Sequence, residues 1–178
     1  MSKVLAIDTS TSRTSVAIID DGSVVFSGHR DGATAHGPSL PALVQEALAI
    51  SEVDEVVVGM GPGPFTGLRV GIAFAQSFAL AREIPVRGVC SLDAIAAQIN
   101  EKDFIITVDA RRKEVYWARY TDGLRVGDPA VNFPADVSGA AIHADLFPDM
   151  QALVKLSGNI TEPIYLRRPD AVATADRP

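Results

Sequence analysis

Short apolar runs separated by polar turns dominate the chain. Val4–Ile7 is apolar and closes on Asp8, the polar run Thr9-Ser10-Thr11-Ser12-Arg13 follows, and Ser15–Ile19 reads as a second strand. Asp20-Asp21-Gly22 puts Asp-Gly where a tight hairpin wants left-handed backbone. Val24–Phe26 starts a third strand, so the first elements predict an antiparallel meander. Residues 27–38, rich in Gly, His and Asp, predict an exposed loop. Leu40, Leu43, Val44, Ala47 and Leu48 fall on one face of a helix over 38–50. Val53–Val58 suits a buried strand. The glycines and prolines of Gly59–Pro64 exclude a regular element. Thr66 is the predicted N-cap of a long helix reaching Arg82, and Ile84-Pro85 stops it. Val86–Val89 is a further strand, and Ser91 is expected to cap a helix to about Gln98.

The second half echoes the first. Phe104–Val108 is an apolar strand closing on Asp109, a short polar run follows, and Val115–Tyr120 is again a strand. The unit of strand, Asp, polar turn and strand therefore occurs twice. The fold class is α/β, with an N-terminal lobe over 1–100 and a smaller lobe over 101–178. Beyond Tyr120 the pattern weakens. Asp122-Gly123 is a turn, residues 127–150 are irregular, Gln151–Leu156 reads as a short helix or strand, and Pro163–Arg168 as a final strand or docked tail.

The helix over 66–82 carries few polar groups: between Leu68 and Ala81 only Arg69, Gln76 and Ser77 are clearly polar. A helix apolar nearly all round predicts burial on two sides. The sheet supplies one cover. The other is a partner helix from a second subunit or the helix over 38–50.

Composition narrows the classes. The chain has 178 residues, 47% of them apolar and 21% charged, enough for a core without disulfides. The one cysteine, Cys90, excludes a disulfide framework and a multi-cysteine zinc site, and reads as a core thiol. No apolar run spans a bilayer and the N-terminus turns acidic too soon for a signal peptide, so a cytoplasmic location is expected. The net charge of −6 argues against a general nucleic-acid coat. Residues 67–119 nonetheless hold 8 basic against 6 acidic groups, whereas both flanks are acidic. Within that segment Arg111-Arg112-Lys113 forms a hairpin tip with Tyr116, Trp117 and Arg119 nearby, a candidate RNA contact or a solvated tip.

Two strings carry candidate phosphate chemistry. A strand-end Asp8 followed by Thr9-Ser10-Thr11 can face an anion with backbone N–H groups, or can cap its own hairpin. Gly61-Pro62-Gly63-Pro64-Phe65-Thr66-Gly67 lies between strand and helix, the right context for a phosphate cradle. It lacks the lysine and the glycine spacing of known phosphate loops, and its prolines remove donors. His29, His36 and His143 have no metal-ligand spacing.

Five strings resemble the TsaB (YeaZ) family: VLAIDTSTSRTSVAI, GMGPGPFTGLRVGIAFAQSFAL, IPVRGVCSLDAIA, VDARRKEVYWARY and, near the end, PIYLRR. The resemblance covers residues 1–120 well and 163–168 thinly. It implies the actin-like, ribonuclease-H-like ATPase fold: two similar lobes of mixed sheet flanked by helices, the second trimmed between residues 121 and 162. It further implies a non-catalytic scaffold in the bacterial machinery that forms N6-threonylcarbamoyladenosine at position 37 of tRNAs reading ANN codons. The implied partners are a TsaD-type catalytic subunit, a TsaE-type ATPase, and a second copy of the chain when alone, with tRNA as substrate of the complex. No cofactor of its own is implied, and ATP or ADP is expected only at the partner interface.

Aligned on Pro85–Val89, the histidine pair of the TsaD paralogue falls on Ser91 and Ile95, which cannot replace imidazole ligands. The resemblance places Leu43, Ala47, Val70, Phe74 and Phe78 at the partner interface. Asp8, Thr9, Ser10, Gly61, Gly63, Thr66, Gly67 and Asp109 become vestigial phosphate-site positions. The rival readings are an active actin-like ATPase or kinase using Asp8 and Asp109, a metalloprotease of the glycoprotease family, and a metal-dependent nuclease built on the same two carboxylates.

Overall fold

The computed structural model describes residues 2–167. The first lobe runs β1 (Lys3–Asp8), β2 (Arg13–Asp20), β3 (Ser23–Asp31), α1 (His36–Leu48), β4 (Glu55–Gly59), α2 (Phe65–Arg82), β5 (Val86–Val89) and α3 (Ser91–Ala96). The second runs β6 (Asp103–Asp109), β7 (Val115–Thr121), β8 (Leu124–Asn132) and β9 (Ala141–His143), with one 3-10 turn at Pro134–Asp136, and α4 (Met150–Lys155) then returns to pack on the first sheet. The sheets are ordered β3-β2-β1-β4-β5 and β8-β7-β6-β9. β1 pairs antiparallel with β2 and parallel with β4, and β6 pairs antiparallel with β7 and parallel with β9. The repeated unit read from the sequence is thus a repeated topology. Even the hairpin turns match: Asp21 and Gly22 stand at φ 48° and 79°, Asp122 and Gly123 at 49° and 78°.

Alternation along β1 sorts its side chains between two layers. Leu5 and Ile7 face α1 and α2, together with Val16, Ile18, Leu40, Leu68 and Ile72. Val4 and Ala6 face Ala94 of α3 and Met150 and Leu153 of α4. In the second lobe Phe104, Ile106, Val108, Ala118 and Tyr120 close on Cys90, Leu92 and Ile95. Hence α3 is a wall shared by both lobes. Its Asp93 accepts hydrogen bonds from the Tyr120 hydroxyl at 2.8 Å and from Arg125 at 3.1 Å.

Several expectations need correction. The segment 27–38 is a loop only in part, because β3 continues to Asp31 as a sheet-edge strand whose side chains stay largely in solvent, which is why its composition reads as loop. Thr66 does not cap α2: Pro64 holds the N-cap place and Thr66 lies exposed in the first turn. Cys90 precedes α3, so Ser91 is its first residue and its hydroxyl is used elsewhere. The all-round apolar α2 buries one side only, through Gly67, Leu68, Gly71, Ile72, Ala75 and Ala79, while Leu80 is 81% exposed. Leu43 and Ala47 are fully buried under their own sheet and do not present a surface to a partner. The irregular stretch 127–150 contains the rest of β8 and all of β9. Pro163–Arg167 forms a docked tail rather than a strand, and Arg168 lies outside the described residues.

Because Ile95 is wholly buried at the seam, Ile95→Ala removes contacts in the second lobe's core. Urea denaturation is expected to show a loss of about 3 kcal/mol.

Candidate functional site

The turn after β1 is built on a buried carboxyl. Asp8 Oδ1 accepts hydrogen bonds from the Ser10 amide at 2.9 Å and the Ser10 hydroxyl at 2.8 Å. Its Oδ2 accepts from the Ser91 hydroxyl at 2.6 Å, and Ser91 Oγ in turn accepts from the Gly61 amide at 3.2 Å. Asp8 is 1% exposed, and burial raises its pKa above the ordinary carboxyl value although these bonds pull the other way. The glycines around it are required by close approach. A Cβ on Gly59 would stand 1.9 Å from Asp8 Oδ2, and one on Gly63 would stand 2.5 Å from the Ser10 carbonyl oxygen. Thr9 clips the turn to α2: its hydroxyl donates to the Gly67 carbonyl at 2.7 Å and accepts from the Gly71 amide at 3.1 Å. The Gly-Pro string therefore serves as a surface against which residues 8–10 seat.

The matching turn of the second lobe is open. Asp109 Oδ1 accepts from the Arg111 amide at 2.8 Å, the same local bond that Asp8 makes with Ser10. Here the carboxylate is exposed. Arg111, Arg112 and Lys113 all adopt left-handed backbone, at φ 61°, 55° and 63°. That conformation costs a non-glycine residue roughly 1 kcal/mol. The tip is closed by the Ala110 amide bonding the Glu114 carbonyl at 2.9 Å.

Between the two turns lies a cleft of about 780 Å³, walled by His36, Pro64, Phe65, Arg111, Tyr116 and Arg167 among others. An adjoining cavity of about 480 Å³ shares His36, Pro64 and Arg111 and adds Asp109, Arg112 and Lys113. His36 is buried, its Nδ1 2.8 Å from the Thr14 hydroxyl, and burial pushes its pKa below the usual value. Of the residues singled out in the sequence, Gly63, Thr66, Gly67, Val70, Asp109, Arg111, Arg112 and Lys113 line this space. Asp8, Thr9 and Ser10 do not: they are sealed beneath it.

Gly61 adopts φ 89° next to the cis Gly61-Pro62 bond. Phe74 and Phe78 stack 6.0 Å apart on the flank of α2, half-buried against the first core. Trp117 donates to Asn132 at 2.8 Å and Arg119 grips Asp103 through two bonds, both on the partly exposed positions of β7. The Cys90 thiol is pushed up to about 12 by burial, which fits a core thiol. His143 pairs with Glu101 at 3.0 Å. Among the described residues no three His, Cys, Asp or Glu come close enough to hold a metal ion.

Tyr165 and Arg167 line the cleft, although the string Pro163–Arg168 marks them only as part of a strand or docked tail. For His36 the only hint was a histidine just ahead of Gly37-Pro38 at a helix start.

The family model described as TsaD, tRNA N6-adenosine threonylcarbamoyltransferase, matches residues 30–171. An uncharacterised protein of Mycobacterium tuberculosis is 44% identical over 96% of this chain and 94% of its own length. The tRNA threonylcarbamoyladenosine biosynthesis protein TsaB of Escherichia coli is 37% identical over 66% of this chain and 54% of its own length, so the match spans about half of that protein. A crystal structure from Pseudomonas aeruginosa, described as similar to peptidase YEAZ, superposes with a TM-score of 0.79 at 28% identity over 94% of this chain and 100% of that one. The fold is actin-like.

The raised pKa of Asp8 fixes the sign of a pH effect. The folded chain holds this proton to higher pH than the unfolded chain does, so Asp8 makes stability fall as pH rises above the ordinary 3.8. Asp8→Asn does not titrate. Its stability relative to the natural chain is expected to improve between about pH 4 and about pH 7. Urea denaturation at both pH values measures this, and a pH-independent difference would contradict it.

Proposed function

This chain belongs to the TsaB (YeaZ) family, and from that membership we propose that it takes part in forming N6-threonylcarbamoyladenosine in tRNA as a non-catalytic subunit. The observation that carries the non-catalytic reading is the sealed Asp8 turn. A carboxyl that gripped a metal-bound phosphate would face the cleft with free lone pairs. Asp8 instead spends both oxygens on Ser10 and Ser91 beneath the cleft floor. Ser91 and Ile95 support the same reading, one bonded to Asp8 and the other in the core.

A scaffold needs a surface. The flank of α2 offers one: Val70, Phe74 and Phe78 are only partly covered where they pack on the first core, and Ile50 just beyond α1 is 58% exposed. Apolar side chains left in water on neighbouring helices are suited to an obligate-type contact. In our reading this flank receives the TsaD-type catalytic subunit, joined by the TsaE-type ATPase, and receives a second copy when the chain is alone. The tRNA is substrate of the assembly, nucleotide sits where the subunits meet, and the work is cytoplasmic. The tips of Arg111, Arg112 and Lys113 give the cleft mouth a positive charge that suits RNA phosphate or nucleotide.

Nucleoside mass spectrometry of bulk tRNA from depleted cells tests the role. Loss of threonylcarbamoyladenosine, restored by the natural chain but not by Phe74→Asp, is the expected outcome. Light scattering should show Phe74→Asp folded yet separate from the TsaD-type subunit, and unchanged modification on depletion would overturn the reading.

A further inference from the structure

The chain leaves α4 and crosses both lobes along one path. At its start it is nailed to the β5 edge of the first sheet. Arg87 donates to the Leu156 carbonyl at 2.7 Å and the Val154 carbonyl at 2.5 Å while pairing with Glu55 at 2.8 Å. Gly88 donates to Asn159 Oδ1 at 3.1 Å and accepts from the Ile160 amide at 2.8 Å. A Cβ on Gly88 would stand 2.3 Å from the Ile160 carbonyl oxygen, so the contact depends on glycine. The Ile164 amide then bonds the Met60 carbonyl at 2.8 Å, and Ile160 and Ile164 pack on the second lobe's core.

The far end is held differently. The Tyr165 ring lies 5.0 Å from the Phe65 ring at the start of α2. Arg167 donates to the Ala110 carbonyl at 3.0 Å and pairs with Glu114, both on the second lobe's hairpin. Tyr165, Leu166 and Arg167 are walls of the 780 Å³ cleft.

We propose that residues 159–167 form a latch, fixed at β5 and releasable at Arg167, that sets the opening between the lobes. The β5 end rests on paired backbone groups in the sheet edge. The Arg167 end rests on one ring contact and one guanidinium that is partly open to water, so it lies at the weak end of the stability range. Closure also brings Arg167 to the hairpin that already carries Arg111, Arg112 and Lys113. Repulsion there opposes the attraction of Glu114. Release frees the left-handed tip at 111–113 and removes a wall of the cleft in one step.

Spin labels at Ser27→Cys on β3 and Asp128→Cys on β8, both exposed positions away from α2, report the separation of the lobes in the full chain, diluted with unlabelled protein, by double electron–electron resonance. The buried Cys90 stays unlabelled. The unaltered latch is expected to give one narrow distance distribution. Arg167→Ala is expected to raise a longer-distance population on the order of ten-fold, the shift that loss of a charge-assisted hydrogen bond produces. Glu114→Gln, which keeps the hairpin's shape, is expected to move it in the same direction by less. Distributions identical to the parent in both folded variants would overturn the latch.

Discussion

Asp8 Oδ2 meets the Ser91 hydroxyl at 2.6 Å, across 83 positions of sequence. This bond ties the end of the central strand to the start of α3, the helix both lobes share. A buried carboxyl tolerates no empty lone pair at low cost, so its neighbours must come close. They do so through glycines: Gly59 beneath the carboxyl, Gly63 against Ser10, and Gly71 against Thr9. The strand end, the Gly-Pro loop, the first turns of α2 and the start of α3 are thereby fixed relative to one turn. What resembles a phosphate-binding region in sequence is satisfied from within.

The second lobe repeats this turn without sealing it. Asp109 makes the same bond to the residue two positions on, but stays exposed, with three cationic left-handed residues beyond it. One lobe thus contributes a closed floor and the other a charged rim. The tail from α4 spans the two and completes the wall. A cleft so built suits a protein that positions its partners, which is how the family membership and the proposed scaffold role meet in one geometry.

Much of this was legible in the chain itself. Asp8 and Asp109, each closing an apolar run before a polar turn, foretold the repeated topology, because alternation and turn chemistry are local. The Asp-Gly hairpins were legible for the same reason. Edge strand β3 was not, since a strand open to water carries loop-like composition. The apolar girth of α2 misled about its second side. Gly67, Gly71, Ala75 and Ala79 are small so that the helix can sit close to the Asp8 turn and the sheet, and they leave no second buried face. Leu43 and Ala47 lie on an apolar stripe that periodicity finds without showing that the chain's own sheet covers it. The contacts of Arg87 and Arg167 join positions far apart in sequence, which no local pattern can reveal.

The central claim is that Asp8 holds structure rather than substrate. Complementation of depleted cells with Asp8→Asn, read by nucleoside mass spectrometry of tRNA, tests it most directly. Asparagine keeps an acceptor for Ser10 and the shape of the site, offers Ser91 Oγ an N–H in place of the Oδ2 acceptor, and removes the charge that a metal or phosphate step would need. Threonylcarbamoyladenosine at the level restored by the natural chain is the predicted result. Its loss with Asp8→Asn present in folded form would contradict the account and return Asp8 to the chemistry.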